Sequence, residues 1–115
     1  MEERRSYPRY DLGQQYYCEL INAQGDSYYG RLDDISQYGA RIVFSKDFYP
    51  NEVKAGDKVY IYGYKSDASP DGGKMAATAV WTDKQCYGIQ FYTSVYGSAE
   101  SLMSMYPDAV PQFYS

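Results

Sequence analysis

At 115 residues, 44% hydrophobic and 23% charged, the chain is long enough for one domain with a core that needs no metal or disulfide staples. A formal net charge of −4 disfavours a broad DNA or RNA footprint, and the absence of histidine removes triad chemistry and the commonest zinc ligand. No apolar run approaches a membrane span and the N-terminus lacks a signal-peptide core, so a cytoplasmic protein without membrane insertion is expected.

The chain opens with Arg4-Arg5-Ser6-Tyr7-Pro8-Arg9, three guanidiniums within six residues of an acidic protein. Guanidiniums are planar, permanently charged forks that fit phosphate oxygens or the acceptor edge of a guanine. Pro8 biases Tyr7 toward extended backbone, which excludes an ordinary helix here. The segment reads as an anion clamp or as a solvated charged terminus.

Gln15 to Ala23 predicts a strand, followed by the turn residues Gln24-Gly25-Asp26 and a second strand from Ser27 to about Asp33. Asp34-Ile35-Ser36-Gln37-Tyr38-Gly39 interrupts the pattern. Ala40 to Ser45 resumes it, with Ala40, Ile42 and Phe44 alternating against Arg41 and Val43. Lys46 to Gly56 reads as a loop with room for one helical turn, and Asp57 to Tyr64 as a strand with Val59 and Ile61 facing opposite to Tyr60 and Tyr62. Ser66 to Gly73 has the most flexible loop composition. Lys74 to Thr82 and Gln85 to Tyr92 predict a closing hairpin, with Met75, Ala77, Ala79 and Trp81 on one face.

Six short strands with regular turn signals indicate an all-β antiparallel barrel or sandwich. Ser98 can then cap a short C-terminal helix that places Ala99, Leu102, Met105 and Tyr106 on one face, and Pro107 to Ser115 reads as a loosely held tail. The divisions are an arginine arm over 1–12, a barrel over 13–92, and a helix with tail over 93–115. Cys18 and Cys86 match no metal spacing and read as small buried hydrophobes. Sixteen tyrosines against four phenylalanines follow no fixed period.

Asp34, Ser36 and Gly39 form a second constellation. A carboxylate accepts from adjacent N–H donors such as those on a guanine edge, a hydroxyl gives and accepts, and glycine permits a positive φ or a close backbone approach. The same residues also make an ordinary strand-to-strand turn. Arg41 either faces this site or is a solvent-facing strand residue. Asp33 and Asp34, adjacent on a strand, would point to opposite faces and could not share a metal.

RxxxR (Arg5, Arg9) followed by DxSxxG (Asp34, Ser36, Gly39), with Trp81 ahead of Tyr87-Gly88-Ile89-Gln90-Phe91, resembles the PilZ domain from about Arg4 to Phe91. The resemblance implies a six-stranded antiparallel β-barrel with a short C-terminal helix that binds the bacterial second messenger cyclic di-GMP and uses no other cofactor. It implies that Arg5 and Arg9 hold phosphates and guanine Hoogsteen edges, that Asp34 and Ser36 bond a guanine, and that Gly39 lets the backbone approach. Arg4, just before RxxxR, implies an intercalated ligand dimer. Ligand would order the arm and change the surface offered to a downstream protein partner. The alternative is a PilZ-like adaptor that does not bind the nucleotide. An enzyme is disfavoured by the lack of histidine, of a P-loop glycine run and of paired carboxylates beside a nucleophile.

Overall fold

The computed structural model describes residues 9–13, 15–67, 69–92 and 94–112. In chain order these form β1 (Tyr10–Asp11), β2 (Tyr17–Ile21), β3 (Ser27–Ile35), β4 (Gly39–Phe44), β5 (Lys58–Tyr62), β6 (Met75–Asp83), β7 (Cys86–Phe91), α1 (Ala99–Met105) and β8 (Val110–Pro111). The order β2-β5-β6-β7-β4-β3, closed by a β2–β3 pairing, is a six-stranded antiparallel barrel. Closure leaves the ring with no open edge.

The predicted alternation holds where strands are regular. Ala40, Ile42 and Phe44 are buried on β4, and Val59 and Ile61 on β5, while Tyr62 is exposed. These side chains, with Leu20, Leu32 and Ile89, fill the barrel. Two bulges break the alternation, one between Leu32 and Asp34 against β4 and one between Ala79 and Trp81 against β7. Each inserts one residue, which re-aims every side chain beyond it.

Strand β3 serves two partners along one edge. Its Ser27–Arg31 part pairs with β2, and Asp34 and Ile35 pair with β1. Strand β8 then adds to β1, Gln112 N donates to the Arg9 carbonyl at 2.9 Å, and Ala109 is buried. The segment after Pro107 thus pairs with β1 and reaches Arg9 through Gln112, a strand the sequence reading did not include. Between Lys46 and Gly56 there are turns but no helix. In the loop from 66 to 73 the described residues are tied together: Ser66 is fully buried, its Oγ accepts from Ser69 N at 3.1 Å, and Ser69 Oγ accepts from Gly73 N at 2.7 Å.

Helix α1 starts as its sequence suggests, with Ser98 Oγ accepting from Ser101 N at 3.1 Å. Leu102 and Tyr106 are buried against the barrel, whereas Ala99 is exposed. No helix among the described residues is long and apolar enough to cross a membrane. Cys18 is buried, and burial pushes its thiol up to about 12; Cys86 is only half-buried.

The tyrosines include two contrasting groups. Tyr17, Tyr29, Tyr62 and Tyr92 are exposed, while Tyr64, Tyr87, Tyr96 and Tyr106 are fully buried. Tyr64 stacks on Phe91 at 5.0 Å and on Tyr106 at 5.9 Å, and Tyr106 meets Tyr16 edge-on at 4.8 Å. Buried hydroxyls need partners. Tyr87 donates to the Pro50 carbonyl at 2.6 Å, Tyr96 donates to the Lys65 carbonyl at 2.5 Å, and Tyr106 accepts from Lys65 N at 2.9 Å.

Burial raises all four phenols, Tyr87 and Tyr106 up to about 12. A raised native value leaves stability intact below the unfolded phenol pKa of about 10 and removes it as pH rises above that point. The melting temperature should therefore fall steeply above about pH 10, with tyrosinate absorbance rising together with loss of β-sheet circular dichroism. Complete tyrosinate formation in a still-folded chain would contradict this packing.

Candidate ligand-binding site

A cleft of about 550 Å³ lies on the outer wall of β4, β7 and the end of β6, lined by Arg9, Ser36, Tyr38, Gly39, Ala40, Val80, Trp81, Gly88, Ile89 and Gln90. It gathers residues from three distant stretches of sequence. Arg9 comes from the segment leading into β1, Ser36 to Gly39 from the β3–β4 turn, and the rest mainly from the closing hairpin.

Arg9 is held from both sides. Its carbonyl accepts from Gln112, and its guanidinium donates to Asp34 Oδ1 at 2.5 Å. Asp34 is itself 5% exposed, and its other oxygen accepts from Gln112 Nε2 at 3.4 Å. A buried carboxylate requires such partners, because an unpaired charge away from water is costly. The Arg9 side chain remains 30% exposed, and five guanidinium N–H donors leave capacity for a second acceptor.

The β3–β4 turn is built by its own residues. Ser36 N donates to the Gly39 carbonyl at 2.8 Å and Ser36 Oγ approaches the same oxygen at 3.5 Å. Phe91 N and Val95 N donate to the carbonyls of Tyr38 and Gln37, at 2.7 and 2.9 Å. Gly39 has no positive φ. Its role is close approach, since a Cβ there would stand 2.3 Å from the Ile89 carbonyl oxygen. The turn reading and the cleft-lining reading of this motif are thus both satisfied.

The bulge in β3 changes what sequence spacing implied for its acids. Asp33 and Asp34 do not diverge to opposite faces: Arg41 Nε lies 2.8 Å from Asp33 Oδ2 and 4.0 Å from Asp34 Oδ2. Arg41 also binds Asp33 through Nη2, and Arg31 donates to Asp33 Oδ1 at 3.0 Å. Burial pushes the Asp33 carboxyl up, but hydrogen bonds and charge from Arg41 and Arg31 outweigh it and hold the carboxyl below its ordinary value. No group of three or more His, Cys, Asp or Glu among the described residues is placed to hold a metal.

Of the residues singled out in the sequence, Arg9, Ser36 and Gly39 line the cleft, Asp34 sits behind Arg9, and Arg41 is engaged by Asp33. Arg4 and Arg5 lie outside the described residues.

Sequence alternation missed the part played by Trp81. The bulge at Val80 turns it out of the face it was expected to share with Ala77 and Ala79, leaving it 42% exposed. Trp81 pairs with Gly88, and a Cβ at Gly88 would fall 2.1 Å from the indole Nε1. The indole therefore lies flat over a glycine and offers an open aromatic plate at the cleft. A tryptophan paired with a glycine across a hairpin was the available signal. Gly88→Ala should lift this ring at a cost of about 1 kcal/mol or less, since the indole can swing into solvent. Trp81 is the single tryptophan, so a red-shifted, more quenchable fluorescence reports the change.

The described residues thus form a closed antiparallel barrel with a cleft on its outer surface between Arg9 and Trp81. The family model for the PilZ domain matches residues 3–104, and the chain belongs to that family. Its fold is similar to the PilZ domain of CeSA from a cellulose-synthesizing bacterium, with a TM-score of 0.56 and 18% identity over 84% of this chain and 89% of that one. It is also similar to the PilZ domain of YcgR from Escherichia coli, solved with c-di-GMP, with a TM-score of 0.58 and 16% identity over 90% of this chain and 86% of that one. No curated protein sequence matches.

Proposed function

We propose that this chain is a cytoplasmic receptor for cyclic di-GMP and not an enzyme, with the ligand seated in the cleft between Arg9 and Trp81. The observation that carries the reading is the meeting of Arg9, Ser36 and Gly39, from two separate sequence motifs, in one cleft beside an exposed indole. The ligand is a dianion bearing two purines. Guanidinium forks suit its phosphates and guanine edges, and an indole face suits a stacked base.

Arg9 would move donors from Asp34 to the ligand, and Asp34, so uncovered, would join Ser36 in holding a guanine from the barrel side. Gly88 would let the Trp81 indole lie low with its outer face turned to a base, and Gly39 lets β4 and β7 close beside it. Arg5 would close from the arm and Arg4 would support an intercalated dimer, while Arg41, which pairs with Gly88 in the row of Trp81 and is held by Asp33, would add a cation at that edge. Because β1 already fixes Arg9, the switch would consist of drawing the residues ahead of it onto the ligand and altering what a downstream protein meets.

Calorimetric titration with cyclic di-GMP tests this directly. Saturable binding near two ligands per chain is expected, weakened roughly tenfold by Trp81→Ala, which removes one stacking surface. One ligand per chain would overturn the role given to Arg4. Absence of binding at low salt would favour the adaptor reading.

A further inference from the structure

Among the described residues, three of the four exposed tyrosines, Tyr17, Tyr29 and Tyr62, gather on the wall opposite the cleft. In the ring, β2 stands across from β7 and β5 across from β4. Register places Tyr29, Glu19 and Tyr62 side by side on β3, β2 and β5, with Tyr17 beside Arg31 in the adjacent row. Tyr29, Tyr17 and Tyr62 are 72%, 60% and 51% exposed. Three large rings exposed on one strip offer a partner apolar contact area with polar tips.

The charge of this wall opposes that of the whole chain. Lys58 and Lys74 bring their ammonium groups to within 5.4 and 5.0 Å of the Tyr60 ring centre. Arg31 on the same wall is already engaged by Asp33, so Lys58 and Lys74 are the cations that stand against Glu19, the one carboxylate at outward positions of β2, β5 and the paired part of β3. The whole chain carries a net charge of −4, so this wall is a local cationic, aromatic field on an acidic body.

We propose that this wall docks a short acidic segment of another protein, its carboxylates meeting Lys58 and Lys74 and its apolar side chains lying on the tyrosine rings. Tyrosine rings suit protein recognition because they give contact area at low entropy cost. Strand spacing and rise give the wall an extent of about 250 Å². That is well below the roughly 800 Å² per partner of stable complexes, which fits a transient contact with a segment rather than a folded domain. The wall lies away from the cleft, so docking does not depend on the ligand assigned to the cleft.

The test is an amide-shift titration of the isotope-labelled chain with a synthetic peptide of alternating glutamate and leucine. Shifts confined to Tyr17, Glu19, Tyr29, Tyr60 and Tyr62 and their neighbours are expected. Affinity should fall about tenfold in Lys58→Glu with Lys74→Glu, and also in Tyr29→Ser with Tyr62→Ser, with melting temperature and cyclic di-GMP titration unchanged. Equal binding of the lysine-for-glutamate peptide, shifts scattered over the surface, or no shifts would overturn the proposal. So would phosphatidylglycerol vesicles or an acidic oligosaccharide moving these amides when the peptide does not.

Discussion

Gly39→Ala is expected to destabilise the barrel by about 3 kcal/mol, a drop in melting temperature on the order of 10 °C. The added Cβ would stand 2.3 Å from the Ile89 carbonyl oxygen, a backbone atom of the paired strand. Relief requires β4 and β7 to part at the point where the turn also accepts from Phe91 N and Val95 N. Gly88→Ala is the comparison, because its Cβ meets only a side chain with room to move. Thermal unfolding of the two variants side by side checks the distinction. Equal, small losses would mean that close strand approach is not what Gly39 provides.

Arg9→Ala should reduce cyclic di-GMP affinity at least about a hundredfold, the scale expected from losing a charge-assisted fork in a partly desolvated site. It should also lower stability, because Asp34 would be left at 5% exposure without its shortest partner, the 2.5 Å contact from Arg9. Arg9→Lys separates the two effects. A lysine restores charge next to Asp34, and with it most of the stability, but lacks the planar fork and should recover little affinity. Calorimetry and thermal denaturation on the same preparations provide both readouts. Full affinity in Arg9→Ala would place the ligand elsewhere.

Much of this was legible in the sequence wherever periodicity is strict. The alternation of Ala40, Ile42 and Phe44 assigned a core face correctly, and the order RxxxR then DxSxxG brought Arg9, Ser36 and Gly39 to one cleft. The misplacements of Trp81 and Asp33 share one cause. A β-bulge adds a single residue with little compositional mark, yet it reverses the facing of everything after it. One bulge turned Trp81 outward and the other swung Asp33 to the guanidinium that also approaches Asp34. Strand β8 was illegible for another reason. Two residues, one of them a proline, carry no periodic signal, and their pairing is set by a partner far away in the chain.

That pairing has a consequence for the order of assembly. Gln112 N reaches the Arg9 carbonyl, and β8 can add only to a β1 already laid along β3. Contacts between opposite ends of a chain carry the largest loop-closure entropy and form once the intervening barrel has brought their ends together. The segment that positions Arg9 is thus the last part of the sheet to dock and the first to open. Native-state hydrogen exchange should find the Gln112 amide opening well below the global free energy, ahead of the β4–β7 ladder.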